Sequence, residues 1–318
     1  MLHTRRTVRC AGITLLVASA LVGCGDDSTS DTGGTEGTGA GPGTGGDGAG
    51  GNATGTGGAG NGGDPGSGGS DPEDPIGSGY ISVYSGSYNV GGNPSASYSA
   101  TAAFTPPRAP TAECEQQSAG GCWIYSCPVE GAPPAGAPDA GVITLVAGAK
   151  TVTLTPSATG LYAPASDDEA LWAAGQTLTV SAAGGEVPSF DMNVVAPAIV
   201  NVTAPAFPAS PAQLVVPKAN PLNVTWSSGG AAGYVSVYAG RTEGNTSVTV
   251  SCAFVAADGQ GTIAPEALAL IPSGVNGFVQ VVSGNTATVT RPEWTITLNA
   301  GSLGATATGS ASALATFE

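Results

Sequence analysis

Histidine is all but missing from this chain: the single copy, His3, lies within the first ten residues. Without a second imidazole there is no Ser-His-Asp or Cys-His pair, no histidine metal ligand and no side chain that titrates near neutrality at its ordinary pKa. Lysine is nearly as scarce. Only Lys150 and Lys218 occur, and neither completes an S-x-x-K motif. Charge as a whole is thin, at 10% of residues, and it is lopsided. Three of the eight basic residues (Arg5, Arg6, Arg9) precede every acidic one, so the chain from Cys24 onward carries five basic and 23 acidic residues, net −18. A surface of that sign repels phosphate backbones, which excludes nucleic acid as a partner held by a basic footprint. Anionic headgroups are repelled too, so attachment to a membrane needs an anchor other than charge. A long apolar run is also lacking. At ~1.5 Å per residue the segment Ala11–Gly23 would span roughly 20 Å as a helix, short of the ~30 Å hydrocarbon core.

What is present begins with that leader. Arg5, Arg6 and Arg9 followed by the apolar run read as the n-region and h-region of a secretory signal. The run ends in Leu21-Val22-Gly23-Cys24, which resembles the lipobox of bacterial lipoproteins. The resemblance implies cleavage before Cys24, diacylation of its sulfur and acylation of the new amine, making the lipid bilayer a partner through Cys24. Several acyl chains at ~0.8 kcal/mol per buried methylene hold a protein firmly. In enteric lipoproteins an acidic residue directly after the cysteine retains the protein at the inner membrane. Gly25 stands there instead, so the resemblance implies an extracytoplasmic, outer-membrane location.

Glycine is abundant, 51 residues, and much of it sits between Gly25 and Gly79. That stretch has Ile76 as its only large apolar residue and carries acids but no base. It cannot offset ordering entropy by burial, and a disordered tether with an r.m.s. span of roughly 40 Å is expected. Its glycine runs lack a GKS or GKT and any strand-helix context, so they do not signal a phosphate-binding loop.

From Tyr80 the composition shifts to short runs of Val, Ile, Thr and Tyr separated by Gly, Pro, Asn and Ser. Leu222, Val224 and Trp226 alternate with Asn223 and Thr225, and Val248, Val250, Cys252 and Phe254 alternate with Thr249, Ser251 and Ala253. Many such strands predict an all-β protein of one or two antiparallel β-sandwich (Ig-like) domains. Gly79-Tyr-Ile-Ser-Val-Tyr-Ser-Gly86 and Gly233-Tyr-Val-Ser-Val-Tyr-Ala-Gly240 agree at six of eight positions, which suggests duplication. The expected division is 1–23 signal, 24–79 lipidated cysteine and tether, 80–203 and 204–318 β-sandwich domains, with the boundary in the Pro-rich stretch Thr203–Pro211. Ser166–Trp172 contains an S-x-x-E capping box and predicts a turn of helix, a Ca²⁺ site being the alternative for its three acids. Pro265–Ile271 predicts a second short helix. Gly184–Phe190, the C-x7-C-x4-C run from Cys114 and the segments Val250–Phe254 and Gly259–Ile263 resemble Gly-linker lipoproteins of myxobacterial type. That resemblance implies secretion and a β-rich fold, and no activity.

Four cysteines remain after the leader and Cys24. In an oxidising compartment the bridge expected first is Cys114–Cys122, closing a polar loop, and second Cys114–Cys127; Cys252, on an apolar strand face, reads as a buried thiol. Tyr80 and Tyr84, and likewise Tyr234 and Tyr238, alternate with aliphatic residues. If the aliphatic face is buried, these tyrosines look outward and form a ligand-binding surface; the alternative is that they pack under loops or between domains. No cofactor, metal site or catalytic residue is expected. The sequence points to a non-enzymatic, membrane-anchored surface lipoprotein serving adhesion, envelope structure or recognition of a protein or glycan. The alternative is a carbohydrate-binding or carboxylate-dependent glycan-active module, since paired acids alone suffice for glycoside hydrolysis.

Overall fold

The computed structural model describes residues 77–90, 93–106, 114–129, 136–209, 211–227, 230, 232–307 and 309–318. The signal segment 1–23, Cys24 and the tether up to residue 76 lie outside the described residues. The strands in chain order are β1 (Gly77–Val90), β2 (Asn93–Thr105), β3 (Glu115–Ala119), β4 (Cys122–Pro128), β5 (Ile143–Ala147), β6 (Lys150–Leu154) and β7 (Ala165–Asp167). They continue with β8 (Thr177–Ala182), β9 (Phe190–Val195), β10 (Asn201–Ala204), β11 (Leu214–Val216), β12 (Leu222–Ser227), β13 (Tyr234–Glu243) and β14 (Thr246–Val255). The last are β15 (Gln260–Ile263), β16 (Gly274–Arg291), β17 (Trp294–Leu303), β18 (Ala305–Thr306), β19 (Gly309–Ser310) and β20 (Ser312–Phe317). The first strand starts at Gly77, three residues before the compositional break read at Tyr80.

One 11-stranded sheet runs in the order β3-β4-β14-β13-β16-β17-β1-β2-β7, with β20 and β11 attached beside β16. Two smaller sheets, β6-β5-β8-β9 and β15-β12-β10-β18-β19, supply the second layers. The protein is all-β, as the alternation predicts. Pairing is mainly antiparallel, but β1 with β17, β11 with β20 and β10 with β18 are parallel, so the large sheet is mixed. These parallel pairs join segments far apart in sequence, where no hairpin dictates direction.

Period-2 alternation settles which side chains are inside. Ile81, Val83, Val235 and Val237 are fully buried, and Val224, Trp226, Val250 and Cys252 are buried as their spacing predicts. Two buried clusters result. The first packs β1, β2 and β17 against β5, β6, β8 and β9, with the Phe104 ring 5.8 Å from Tyr162, 6.3 Å from Trp294 and 6.5 Å from Phe190. The Tyr162 hydroxyl accepts from Ala140 N at 2.9 Å and donates to Gly141 O at 2.7 Å, so its polar end is satisfied inside. The second cluster packs β4, β13, β14 and β16 against β10, β12 and β15, with the Trp226 indole donating to Ala256 O at 2.9 Å.

In sequence order the first cluster gives way to the second between Ala196 and Val200, close to the expected boundary at Thr203. Each cluster also recruits strands from across that boundary: Trp294–Ala300 belong to the first, Cys122 and Ile124 to the second. The 18-residue β16 joins them. One of its edges pairs with β13 through Phe278–Gly284; the other pairs first with β20, then with β17 from Val282 to Arg291.

The capped turn of helix expected at Ser166–Trp172 does not form. Ala165–Asp167 pair instead with β2, Leu171 and Trp172 enter the first core, and Leu171 N donates to Ser85 Oγ at 2.9 Å. Burial of two large apolar side chains outweighs the roughly 1 kcal/mol that a helix cap supplies. Glu169 forms an exposed ion pair with Lys150 at 2.7 Å. The other expected helix is present as α1 (Pro265–Leu268), a single turn begun by its proline.

Candidate functional site

The cysteines are joined as Cys114–Cys127 and Cys122–Cys252. The bridge expected first, Cys114–Cys122, is therefore overturned, and Cys252 is not a thiol. Residues 115–121 are the first strand and the turn of a β-hairpin, not an irregular loop, with Gly120 and Gly121 both at positive φ in the turn. Cys114 and Cys122 thus sit at opposite ends of β3, whereas the register Glu115↔Ser126 sets Cys114 across from Cys127. Ser251 pairs with Trp123, so Cys252 lies beside Cys122 on the adjacent strand. The two bridges stand on opposite faces of the sheet and fasten the β3–β4 hairpin to itself and to β14.

Because Ile81, Val83, Val235 and Val237 fill the two cores, Tyr80, Tyr84, Tyr234 and Tyr238 lie on the opposite face of the 11-stranded sheet, each half-buried. Register brings them together. Tyr234 pairs with Gly284, Gly284 with Gly301 and Gly301 with Tyr84, forming one row across four strands. Ring atoms of Tyr234 occupy the place a Cβ on Gly284 would take, and ring atoms of Tyr84 that of a Cβ on Gly301. Each ring leans over its neighbouring strand because glycine leaves room there. Four residues along β13, Tyr238 shares a row with Gln280, Ser251 and Trp123; four residues back along β1, Tyr80 shares one with Thr297 and Ala103.

The hydroxyls of this group lie within one another's electrostatic reach. Burial pushes Tyr84 well above the ordinary phenol pKa, and the neighbouring Tyr238 and Tyr234 add to the shift. Burial pushes Tyr238 up to about 12 against opposing hydrogen bonds from Ser236 and Ser251. Tyr234 is raised by burial as well, while Thr286, whose Oγ1 donates to the Tyr234 hydroxyl at 3.5 Å, works against the rise. All three stay neutral at physiological pH and keep both donor and acceptor capacity.

Trp123, Tyr125 and Phe278 complete the face. Trp123 is 48% exposed, and the Phe278 ring lies against Gly240. Neither they nor the glycine pair stood out in the sequence. The available signal was the isolated glycine inside two strand-like runs, Val281–Thr290 and Thr295–Leu303, which marks close approach of another group. Following register across β4, β14, β13, β16, β17, β1 and β2, the outward positions are Ser, Thr, Asn, Gln, Gly, Ala, Val, Leu, Cys and aromatic residues, with no charged side chain among the described ones. In a chain of net −18 from Cys24 onward, that is a large neutral area.

Beside the row, Asn193, Val195, Gly233, Asn285 and Thr286 line a shallow cleft of about 470 Å³. The Asn285 amide is occupied there, accepting from Gly233 N at 2.6 Å and donating to Val195 O at 2.8 Å, so it clamps β9 to the start of β13. Among the described residues no three of His, Cys, Asp and Glu converge as metal ligands. Cys24 lies outside the described residues. No family model matches the chain, and no curated protein matches it.

Proposed function

We propose that the chain is a lipid-anchored surface protein that acts by recognition and not by turnover, held on the outer membrane through acylated Cys24. The neutral outer face of its long sheet is the contact surface for adhesion, for envelope structure or for a protein or glycan partner. The observation that carries this reading is the aromatic row itself. Large rings gathered on a face turned away from both cores are what a recognition surface needs. The carbohydrate-binding alternative draws on the same row and is the form of recognition it favours. A carboxylate-dependent hydrolytic form lacks that support, because among the described residues no acid occupies an outward position beside the tyrosines. The anchor is tested by metabolic labelling with a palmitate analogue: Cys24→Ala should abolish incorporation and release the chain or leave it unprocessed. Label retained in that variant would overturn the lipoprotein assignment. The contact surface is tested by binding of the detergent-solubilised full chain to intact cells, with Tyr84→Ala and Tyr234→Ala expected to weaken it.

A further inference from the structure

The outer face has a length, a charge and a floor, and together they narrow the partner. Tyr238, the Tyr234–Tyr84 row and Tyr80 follow one another at steps of four residues, roughly 13 Å each at ~3.3 Å per residue. The aromatic stripe is therefore about 26 Å long, the scale of an extended oligomer and not of a single small ring. Its floor is the paired Gly284 and Gly301, over which the two central rings lie. Between the rings stand the partly exposed amides Asn299 and Gln280, which donate and accept without charge, while Ser82 and Ser236 on the same face are buried.

We propose that this stripe is a stacking strip for an uncharged polysaccharide, its pyranose faces packing on Tyr84 and Tyr234 and its hydroxyls exchanging hydrogen bonds with the neutral side chains between them. The proposal rests on the outer face being the contact surface. Charge decides the class. A polyanion would meet a strongly acidic chain with no cation among the described residues of this face, and a charged protein surface would leave its ions desolvated against neutral groups. A polyhydroxyl chain presents alternating C–H patches and hydroxyls and loses nothing on either account. The extended strip also accounts for the tyrosines of the two echoed segments lying on one face, since both contribute to a single track.

The test is affinity electrophoresis of the detergent-solubilised full chain in gels containing hydroxyethyl cellulose, laminarin or alginate, alongside binding to intact cells. The neutral glucans should retard the protein and alginate should not. Tyr84→Ala and Tyr234→Ala should each lower apparent affinity about tenfold or more, while Tyr84→Phe and Tyr234→Phe, which keep the ring and lose the hydroxyl, should stay within about threefold. Tyr80→Ala, at the end of the strip and over no glycine, gives a second reading should the central variants fold poorly, and should weaken binding by a smaller factor. Retardation unchanged in the alanine variants would overturn the strip. Absence of retardation by either glucan, with cell binding still lost in the alanine variants, would overturn the polysaccharide and leave the contact face standing. Cell binding indifferent to all the tyrosine variants would remove the contact face as well.

Discussion

A tyrosine on a sheet exterior ordinarily stands in water and titrates near 10. Tyr84, Tyr234 and Tyr238 depart from that because burial, over Gly301 for the first and Gly284 for the second, removes water from the hydroxyls and disfavours phenolate. The folded pKa lies above the unfolded one. Their contribution to stability is thus complete below about pH 10 and is lost as pH climbs through about 12, the value reached at Tyr238. Phenolate absorbance followed with pH should show a late-titrating set among the eight tyrosines, ionising together with unfolding. All eight titrating near pH 10 in a protein that remains folded would mean that the rings do not occupy the glycine floors.

Among the elements, the β3–β4 hairpin depends most on covalent support. It is short, lies at the end of the large sheet, and its β3 carries the exposed polar side chains Glu115, Gln116, Gln117 and Ser118. Cys114–Cys127 closes the hairpin on itself over a sequence separation of 13, whereas Cys122–Cys252 ties it to β14 over a separation of 130. A longer closed loop removes more freedom from the unfolded chain, about 5 kcal/mol against about 3 kcal/mol for loops of these lengths. Unfolding in urea should therefore show a larger loss for Cys122→Ala with Cys252→Ala than for Cys114→Ala with Cys127→Ala. An equal or smaller loss for the first pair would place the dominant constraint in the hairpin itself. The expected Cys114–Cys122 bridge failed at this scale: it treated a stretch that forms a hairpin as a loop. Its two glycines were legible as a turn and Trp123–Cys127 as a strand, but β3 was too polar to announce itself.

At the scale of the whole molecule, the two buried clusters share β16, whose Val279 and Val281 fill the second while Ala287 and Val289 pack on the first. Unfolding one cluster strips half of that strand of its neighbours. Heating should accordingly give one cooperative transition for residues 77–318, with calorimetric and van't Hoff enthalpies in agreement. Two resolved transitions would show that the clusters stand independently.

Composition and pattern alone settled the all-β class, the inward set of aliphatic residues and the scarcity of histidine and lysine, because each is a local property. A period of two assigns a side chain to a face whatever its neighbours are, and a missing residue type is missing in every fold. Alternation says nothing, however, about which strand lies alongside which, since backbone ladders form equally well between any two strands in register. Only the tertiary structure decided that β1 runs parallel to β17 and β13 antiparallel to β16. That choice, made by how the two cores close, lays Tyr84 over Gly301 and Tyr234 over Gly284 and turns two echoed segments into one face.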